Sequence, residues 1–250
     1  MAVQHETELY LPLKQFFERR GYEIKGEVKH CDLVGFKPGA DEPLVVEIKK
    51  TFNLALLLQG QQRQRLTSQV YLAVERNRAK KGAHNQRWRE IAQLCTRLGL
   101  GLITITVYKT KPAFVEVLCS PAEPADGTPL PKPIKHRVNR LAHEFRERSG
   151  DYNVGGSNGR KLVTAYREKT LLVADALRGG IDLSPREIKA HSGVGNAASI
   201  LQRNFYGWFR RISRGRYILT EEGRQALIEY AELLESRKLA AAGLAPECDN

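Results

Sequence analysis

Residues 31–50, CDLVGFKPGADEPLVVEIKK, constrain the fold of this chain more than any other stretch. Two apolar runs flank Lys37 to Pro43, a segment that contains Gly, Asp and two Pro residues. This pattern predicts an antiparallel β-hairpin. Because side chains alternate across a strand, Glu47 and Lys49 share one face of the second strand. The opposite face carries Leu44, Val46 and Ile48.

Charged side chains lie at the open end of this predicted hairpin. A loop centred on Ala40 would place Asp32 opposite Ile48, whereas a register change of one residue would place it opposite Glu47 or Lys49, on their face. Charges at the end of an apolar strand are costly to bury unless they are paired or bound to a metal ion. The pattern therefore allows two interpretations, a cross-strand salt bridge or a site at which two carboxylates and an ammonium group converge.

The second interpretation gives the hairpin a chemical role. Asp32 and Glu47 offer the hard oxygen ligands that Mg²⁺ or Mn²⁺ prefers, and the backbone carbonyl of Ile48 could supply a third oxygen. Such an ion polarises a phosphate group and lowers the pKa of a water molecule. Lys49 would then orient the water or neutralise developing charge.

Asp32, followed by Glu47-Ile48-Lys49 on an apolar strand, resembles the signature of the PD-(D/E)XK nucleases. Cys31 stands where the signature has its proline, but many members lack that proline. The resemblance implies a metal-dependent nuclease in which Asp32 and Glu47 hold the ion.

The same resemblance implies two further site residues. In PD-(D/E)XK enzymes a glutamate of the first helix often joins the metal site, and helical phase with Leu9 favours Glu6, with Glu8 second. An ordinary stabilising charge at a helix N-terminus is the alternative for Glu6. A glutamine on the helix after the second hairpin strand often lies near the scissile phosphate, and Gln59 is nearest to that position.

Apolar periodicity divides the first half of the chain into helices and strands. A helix from Glu6 to Arg20 precedes three strands, a helix from Asn53 to Leu66, a strand, a helix and two strands. This order predicts an α/β fold, a PD-(D/E)XK restriction-endonuclease-like core with a mixed sheet flanked by helices, over residues 1–119. Residues 120–135 include five prolines and predict a linker. Residues 136–162 predict a helical, glycine-rich connecting arm.

Residues 163–236 have the order of a winged helix-turn-helix domain, namely helix, helix, turn, helix and a basic hairpin. Ser184 to Glu187 starts the second of these helices, with Ser at the N-cap, Pro after it and Glu three residues on. Winged helices bind DNA through the third helix and the hairpin, although many serve protein association instead. The Ala-rich residues 237–250 predict a disordered tail.

Basic and amide side chains are the candidate nucleic-acid contacts. Arg63 and Arg65 lie on the polar half of the helix after the hairpin, where a solvated helix face is the alternative. The glycine-rich loop after Val154 could cradle a phosphate through its backbone N–H groups, or could pack one domain on the other. The predicted contacts are Arg63, Arg65, Lys80, Lys81, Arg160, Lys161, Arg203, Asn204, Arg210, Arg211, Arg214 and Arg216.

The charge balance indicates the class of partner. A formal net charge of +12 points to an anionic partner, most commonly nucleic acid, with a merely solvated basic surface as the alternative. The four cysteines and six histidines show neither CxxC nor HExxH spacing, so neither a zinc site nor a disulfide framework is predicted. The sequence contains no secretory signal and no long apolar run, so we expect a cytoplasmic protein that does not enter membranes.

Several segments together resemble the bacterial family DUF2161, a predicted PD-(D/E)XK phosphodiesterase. They are ETELYLPLKQFF, the Asp32 and Glu47-Ile48-Lys49 pair, RSGDYNVGGS with VTAYR, and NFYGWF with RGRYILTEEG. The leading hypothesis is a Mg²⁺- or Mn²⁺-dependent nuclease that acts on nucleic acid, with DNA as the expected substrate. The alternative is a non-catalytic DNA-binding regulator with an inactive nuclease-like core. Paired cutting of a duplex would need two active sites, which suggests a homodimer.

Overall fold

The computed structural model describes residues 3–77, 87–124, 127–156 and 161–241. The chain forms two compact units, Met1–Leu162 and Val163–Asn250. The first unit contains the predicted hairpin and a large sheet, and the second contains helices and a small hairpin.

A six-stranded sheet forms the centre of the first unit, and its strands pair in chain order. The β3–β4 and β4–β5 pairs are parallel, and the remaining pairs are antiparallel. The predicted mixed sheet flanked by helices is therefore confirmed. The strands are β1 (Glu23–Val28), β2 (Cys31–Phe36), β3 (Leu44–Lys49), β4 (Val70–Glu75), β5 (Gly101–Thr106) and β6 (Phe114–Cys119).

The described helices of the first unit are α1 (Tyr10–Glu18), α2 (Leu54–Arg63), α3 (Trp88–Arg97) and α4 (Lys135–Glu147). The prediction of one continuous helix from Glu6 was wrong at its start, because Glu6–Leu9 forms a 3₁₀ helix that leads into α1. Pro12 explains the boundary, since a residue without a backbone N–H is tolerated only in the first turn of an α-helix.

Helices cover both faces of the sheet. On one face, α1 buries Leu13 and Phe17 in a cluster that includes Val46 and Ile48. On the other face, α2 and α3 pack over β4 and β5. Helix α4 packs Leu141 and Phe145 beside α2, over β2 and the start of β3. Glu47 belongs to this second face, so α2 and α4 determine what surrounds it.

The β2–β3 register decides which residues face each other. Leu33 pairs with Val46, and Val34 pairs with Val45. The connecting turn uses Gly39 at a φ of +76°, a left-handed conformation that glycine adopts without strain. Extending this register by one residue places Asp32 opposite Glu47, which is one of the alternatives that the sequence left open.

A two-residue turn joins β1 to β2. Val28 pairs with Cys31, and both intervening residues have positive φ, 49° at Lys29 and 66° at His30. These angles match the type I′ turn that suits the twist of a tight hairpin. Asn and Gly usually occupy such positions, so two bulky basic residues there are uncommon.

The connecting arm is fixed to the first unit by buried polar contacts. The Nζ atom of Lys25 donates to the carbonyl oxygens of Phe145 and Arg148, both at 2.8 Å. The Arg148 guanidinium donates in turn to the carbonyl oxygens of Gly26 at 2.9 Å and Glu27 at 2.7 Å. Helix α4 and the residues after it therefore have a defined position against β1.

The second unit has its own order of elements. One stretch that was predicted to be disordered is helical, because α9 continues to Ala241. Arg237 pairs with Glu168, and Lys238 pairs with Asp175. These contacts hold the C-terminal part of α9 against α5. The elements are α5 (Ala165–Ala176), α6 (Pro185–Ser192), α7 (Ala197–Arg203), β7 (Phe209–Ser213), β8 (Arg216–Leu219), α8 (Glu221–Glu229) and α9 (Ala231–Ala241).

Two further expectations concern membranes and thiols. Across the described ranges, no helix combines the length and the apolar character needed to cross a bilayer. In the same ranges Cys31, Cys95 and Cys119 are free thiols. Burial raises the pKa of both Cys31 and Cys95 to about 12, so these thiols stay protonated and unreactive near neutral pH.

Candidate functional site

Asp32 and Glu47 lie across from each other on neighbouring strands. The Asp32 side chain is fixed by its Oδ2 atom, which accepts a hydrogen bond from the backbone amide of Ile48 at 2.8 Å. This contact joins Asp32, the first residue of the signature, to the backbone of the second strand. The hairpin thus holds two carboxylates on the sheet face that α2 covers.

Glu47 is enclosed by protein, with 1% of its surface exposed. Its Oε1 atom accepts a hydrogen bond from Nε of Arg63 at 2.6 Å. Arg63 also donates to the carbonyl oxygen of His30 in the β1–β2 turn. One guanidinium at the end of α2 therefore joins the central strand to the turn of the first hairpin.

Lys49 makes an ion pair with Glu6. Its Nζ atom lies 2.9 Å from Oε2 of Glu6, and Oε1 of Glu6 accepts from the backbone amide of Lys50 at 3.3 Å. The 3₁₀ helix thus brings Glu6 to the end of β3, beside Lys49, and its role in a metal site stays a prediction. Glu8 is not brought there, because its Oε1 accepts from the backbone amides of Gln4 and His5, both at 2.7 Å.

Gln59 lies one helical turn before Arg63 on α2, on the same helix face. Its side-chain oxygen is buried, and no residue in the described ranges donates a hydrogen bond to it. A buried acceptor without a donor is costly. A ligand or solvent donor beside this face of α2 would remove that cost.

The two carboxylates have raised pKa values. Burial, and then the charge of Asp32, raise the pKa of Glu47 to about 7, although Arg63 opposes the shift. Burial also raises the pKa of Asp32 above its ordinary value, while the Ile48 amide and the charge of Lys49 oppose it. Burial is the main cause for both carboxylates, so a cation placed between them would lower both pKa values.

The pKa of Lys49 is also raised, but for an ammonium group a raised pKa favours the charged form. Burial by itself lowers the pKa of Lys49, but the hydrogen bond and charge of Glu6, with the charges of Asp32 and Glu47, outweigh burial and raise it. Lys49 therefore stays protonated at neutral pH. This state suits a residue that stabilises negative charge, and it does not suit a residue that accepts a proton.

The connecting arm closes one side of the site. Asp151 accepts hydrogen bonds from the hydroxyl of Tyr10 at 2.8 Å, Nζ of Lys14 at 2.6 Å and the amide of Gly26 at 2.7 Å. A Cβ atom added at Gly155 would lie 2.2 Å from the carbonyl oxygen of Asp32. The arm thus approaches the Asp32 backbone so closely that only glycine fits.

The oxygen donors of the hairpin suit a hard divalent cation. In residues 3–77, 87–124, 127–156 and 161–241, no group of three or more His, Cys, Asp or Glu side chains is arranged to hold a metal ion. An ion here would therefore use Asp32 and Glu47 with backbone, substrate or solvent oxygens, a common arrangement for Mg²⁺. The buried, facing carboxylates fit such an ion, because a cation bound between them would favour their ionised forms.

The predicted nucleic-acid contacts of the first unit have different surroundings. Arg63 is partly buried on Glu47, whereas Arg65 and Lys161 are exposed. Lys80, Lys81 and Arg160 lie outside the described residues. The sequence did not predict the contact between Arg63 and Glu47. The four-residue spacing from Gln59 was a signal for it, because that spacing repeats one helix face.

In the second unit some predicted contacts are already engaged. Asn204 ends α7 in a left-handed conformation, and its side chain bonds to both the amide and the carbonyl of Phe209. Arg216 pairs with Asp182 and Glu187. These two residues therefore hold the hairpin in place. Four of the predicted arginines are exposed, namely Arg203, Arg210, Arg211 and Arg214.

Part of the chain matches a known family model. Residues 103–226 match the DUF2161 family model, described as "Putative PD-(D/E)XK phosphodiesterase". This part of the chain, just under half of its length, is therefore similar to DUF2161. No curated protein and no solved structure matched the chain.

The DUF2161 match and the hairpin occupy different parts of the chain. The matched range begins within β5 and ends within α8. Asp32, Glu47 and Lys49 precede it, so the similarity to a phosphodiesterase family and the geometry of the hairpin are independent observations. Both point to a nuclease-like hydrolase.

Proposed function

We propose that this protein is a metal-dependent phosphodiesterase that hydrolyses nucleic acid, with DNA as its substrate. One observation carries the proposal. Asp32 and Glu47 face each other on adjacent strands, and Lys49, a permanent cation, lies two residues beyond Glu47 on the same face. Two carboxylates beside a fixed ammonium group fit a divalent cation together with a phosphate.

Each residue has a distinct role in this proposal. Asp32 and Glu47 would hold Mg²⁺ or Mn²⁺ together with the carbonyl oxygen of Ile48. When bound, the ion would polarise the phosphate and lower the pKa of a water molecule. Lys49 stabilises negative charge that develops on the phosphate, and Glu6 orients Lys49 through the 2.9 Å ion pair.

A nuclease assay with Mg²⁺ or Mn²⁺ tests the proposal. We expect the wild-type protein to cleave DNA, and we expect Asp32→Ala and Lys49→Ala each to lower the rate by about 100-fold or more, as for other charge-stabilising groups. Equal cleavage by wild type and both variants would show that the assignment is wrong. Glu8→Gln is a matched acidic control, because Glu8 bonds to backbone amides away from the hairpin.

We also propose that the second unit binds DNA as a winged helix. Its order of three helices, a two-stranded hairpin and a further helix supports this role, as does the exposure of Arg210, Arg211 and Arg214 on and beside the hairpin. Replacing these three arginines with alanine should weaken DNA binding and reduce its dependence on salt concentration. Unchanged binding would favour the use of this unit in protein association.

A second candidate function, that of a non-catalytic DNA-binding regulator, is favoured by the Arg63–Glu47 contact. The guanidinium occupies the carboxylate oxygen that an ion would need. An inactive core would use Arg63 as a permanent structural cation. In that case the protein would bind DNA normally after Asp32→Ala and would cleave no substrate. Titration with Mn²⁺ separates the two functions, because only the enzyme requires an ion at Asp32 and Glu47.

A further inference from the structure

A groove runs between α2, α4 and the β1–β2 turn of the first unit. It has a volume of about 840 Å³, and its lining includes Arg63 and Arg65 from α2 and Arg137 and Arg140 from α4. The turn contributes Lys29 and His30. Arg63 lines the groove and also contacts Glu47, so this one side chain connects the groove to the candidate site.

The groove is basic along its whole length. Six of its lining residues are Lys, Arg or His, and none of its lining residues is acidic. In the described part of the chain, no carboxylate forms an ion pair with Arg65, Arg137 or Arg140. Lys29 pairs with Glu144 at 3.7 Å and Arg63 pairs with Glu47, so the net positive charge of the groove comes mainly from the three arginines without a carboxylate partner among the described residues. A concave surface with this charge concentrates anions at its floor.

The basic side chains stand on rigid supports. Helix α4 is anchored by buried Leu141 and Phe145, and the amide of Ile134, at its start, donates to the carbonyl of Arg65 at 2.7 Å. Arg137 and Arg140 are three residues apart and therefore neighbour each other on the helix surface. The backbone that carries these cations is therefore already ordered before a ligand binds, so only the exposed side chains would lose entropy on binding.

The β1–β2 turn contributes two further basic residues to the groove. Lys29 and His30 adopt positive φ, which costs bulky residues more than it costs glycine or asparagine. Their side chains line the groove, and the carbonyl of His30 accepts from Arg63. The turn therefore places two basic side chains beside the residue that contacts Glu47.

We infer that this groove binds the phosphodiester backbone of one nucleic-acid strand and directs it toward Asp32 and Glu47. The inference rests on the proposed function for the direction of the strand, but binding itself requires no catalysis. Arginines in a row suit successive phosphates, because each guanidinium donates several hydrogen bonds to one phosphate. Gln61 and Gln62, which also line the groove, add amide donors of the kind used in backbone contacts.

Direct binding measurements test the inference. The probe is a labelled single-stranded DNA of about 20 nucleotides, longer than the roughly 4–16 that one binding groove covers, in EDTA so that no cleavage occurs. The test variant is Arg137→Ala/Arg140→Ala in the full chain. The control is Arg19→Ala/Arg97→Ala, which removes the same charge from two exposed positions outside the groove. Arg137→Lys/Arg140→Lys keeps the charge.

We expect the test variant to raise the Kd about tenfold. The slope of log Kd against log salt concentration should fall by about one for each phosphate contact removed. The control should bind like wild type, and the lysine variant should recover most of the affinity. Equal affinity of the test and control variants would overturn the inference.

A second measurement reads the groove without interference from the second unit. Phenylglyoxal modifies accessible arginines, and mass spectrometry locates the modified sites. Bound DNA should protect Arg137 and Arg140 and leave Arg19 and Arg97 unprotected. Full modification of Arg137 and Arg140 in saturating DNA would also overturn the inference.

The groove and the proposed reaction fail in different ways. If Asp32→Ala cleaves as well as wild type while the test variant binds weakly, the proposed reaction is wrong, but the inference that the groove binds nucleic acid still holds. If wild type cleaves in an Asp32-dependent way while the test variant binds normally, the reaction remains and the strand uses another surface.

Discussion

The guanidinium of Arg63 donates from Nε to Oε1 of Glu47 at 2.6 Å, and it is the only side chain in the described ranges to form an ion pair with that carboxylate. Glu47 is 1% exposed, so solvent contributes little to its charge balance. Burial and the charge of Asp32 nevertheless raise its pKa to about 7. The ion pair with Arg63 therefore does not offset the effect of burial on this carboxylate.

The first prediction concerns stability and pH. The pKa of Glu47 is about 7 in the folded protein, whereas its ordinary pKa is 4.5, so between these values the folded state keeps a proton that the unfolded state has lost. The free energy of unfolding therefore falls as pH rises from 4.5 to about 7 and is level above that. In EDTA at about pH 8, Glu47→Gln should be more stable than wild type, by on the order of 3 kcal/mol.

Urea unfolding across this pH range measures the effect. The difference between Glu47→Gln and wild type should shrink toward zero as pH falls to about 4.5, since the glutamine resembles the protonated carboxyl. A constant difference across the range would show that Glu47 titrates normally. Glu116→Gln is the control, because Glu116 is partly exposed and pairs with Arg76 on the sheet edge.

The second prediction concerns competition between cations at Glu47. Arg63→Ala removes the guanidinium from the carboxylate and removes a charge that lowers its pKa. At about pH 9 the variant should bind Mn²⁺ several-fold more tightly than wild type, because no side chain competes for the oxygen. At about pH 6 it should bind more weakly, because a proton competes better. Electron paramagnetic resonance of free Mn²⁺ measures both affinities, with Arg65→Ala as the control.

Much of the first unit followed from the sequence. Turn residues between two apolar runs located β2 and β3, and helical phase selected Glu6 over Glu8. Both signals are local, since alternation and helical periodicity depend only on neighbouring residues. The residue opposite Asp32 could not be predicted in the same way. It depends on the geometry of the turn at Gly39, and a change of one residue in that turn would shift the strand register.

The features that the sequence did not predict depend on tertiary contacts. Arg63 was predicted as a possible backbone contact on a solvated face, and no local signal showed that its guanidinium reaches Glu47, 16 residues away. Helix α4 has few buried apolar side chains, notably Leu141 and Phe145, and it follows a proline-rich stretch. Its position beside α2, and hence the basic groove, depends on packing that no periodicity records.

The third prediction separates the two acidic residues of the 3₁₀ helix. Glu6→Gln weakens the ion pair with Lys49, so the pKa of Lys49 should fall toward its ordinary value. In the proposed enzyme, cleavage should slow by about tenfold, and activity should be lost at a lower pH on the alkaline side. Initial rates across pH measure this. Glu8→Gln should leave the profile unchanged, and an equal loss in both variants would indicate a merely structural effect.

The last prediction concerns the arm that covers Asp32. A Cβ atom at Gly155 would lie 2.2 Å from the Asp32 carbonyl oxygen and 2.7 Å from the ring of Tyr10. Because backbone cannot yield as a flexible side chain does, Gly155→Ala should lower the free energy of unfolding by about 1–3 kcal/mol. Gly179→Ala is the matched control, because nothing lies within 4 Å of its added Cβ. Thermal unfolding measures both variants, and equal midpoints would show that the arm does not press on the hairpin. A lowered midpoint together with weaker Mn²⁺ binding would show that the arm also holds Asp32 in place.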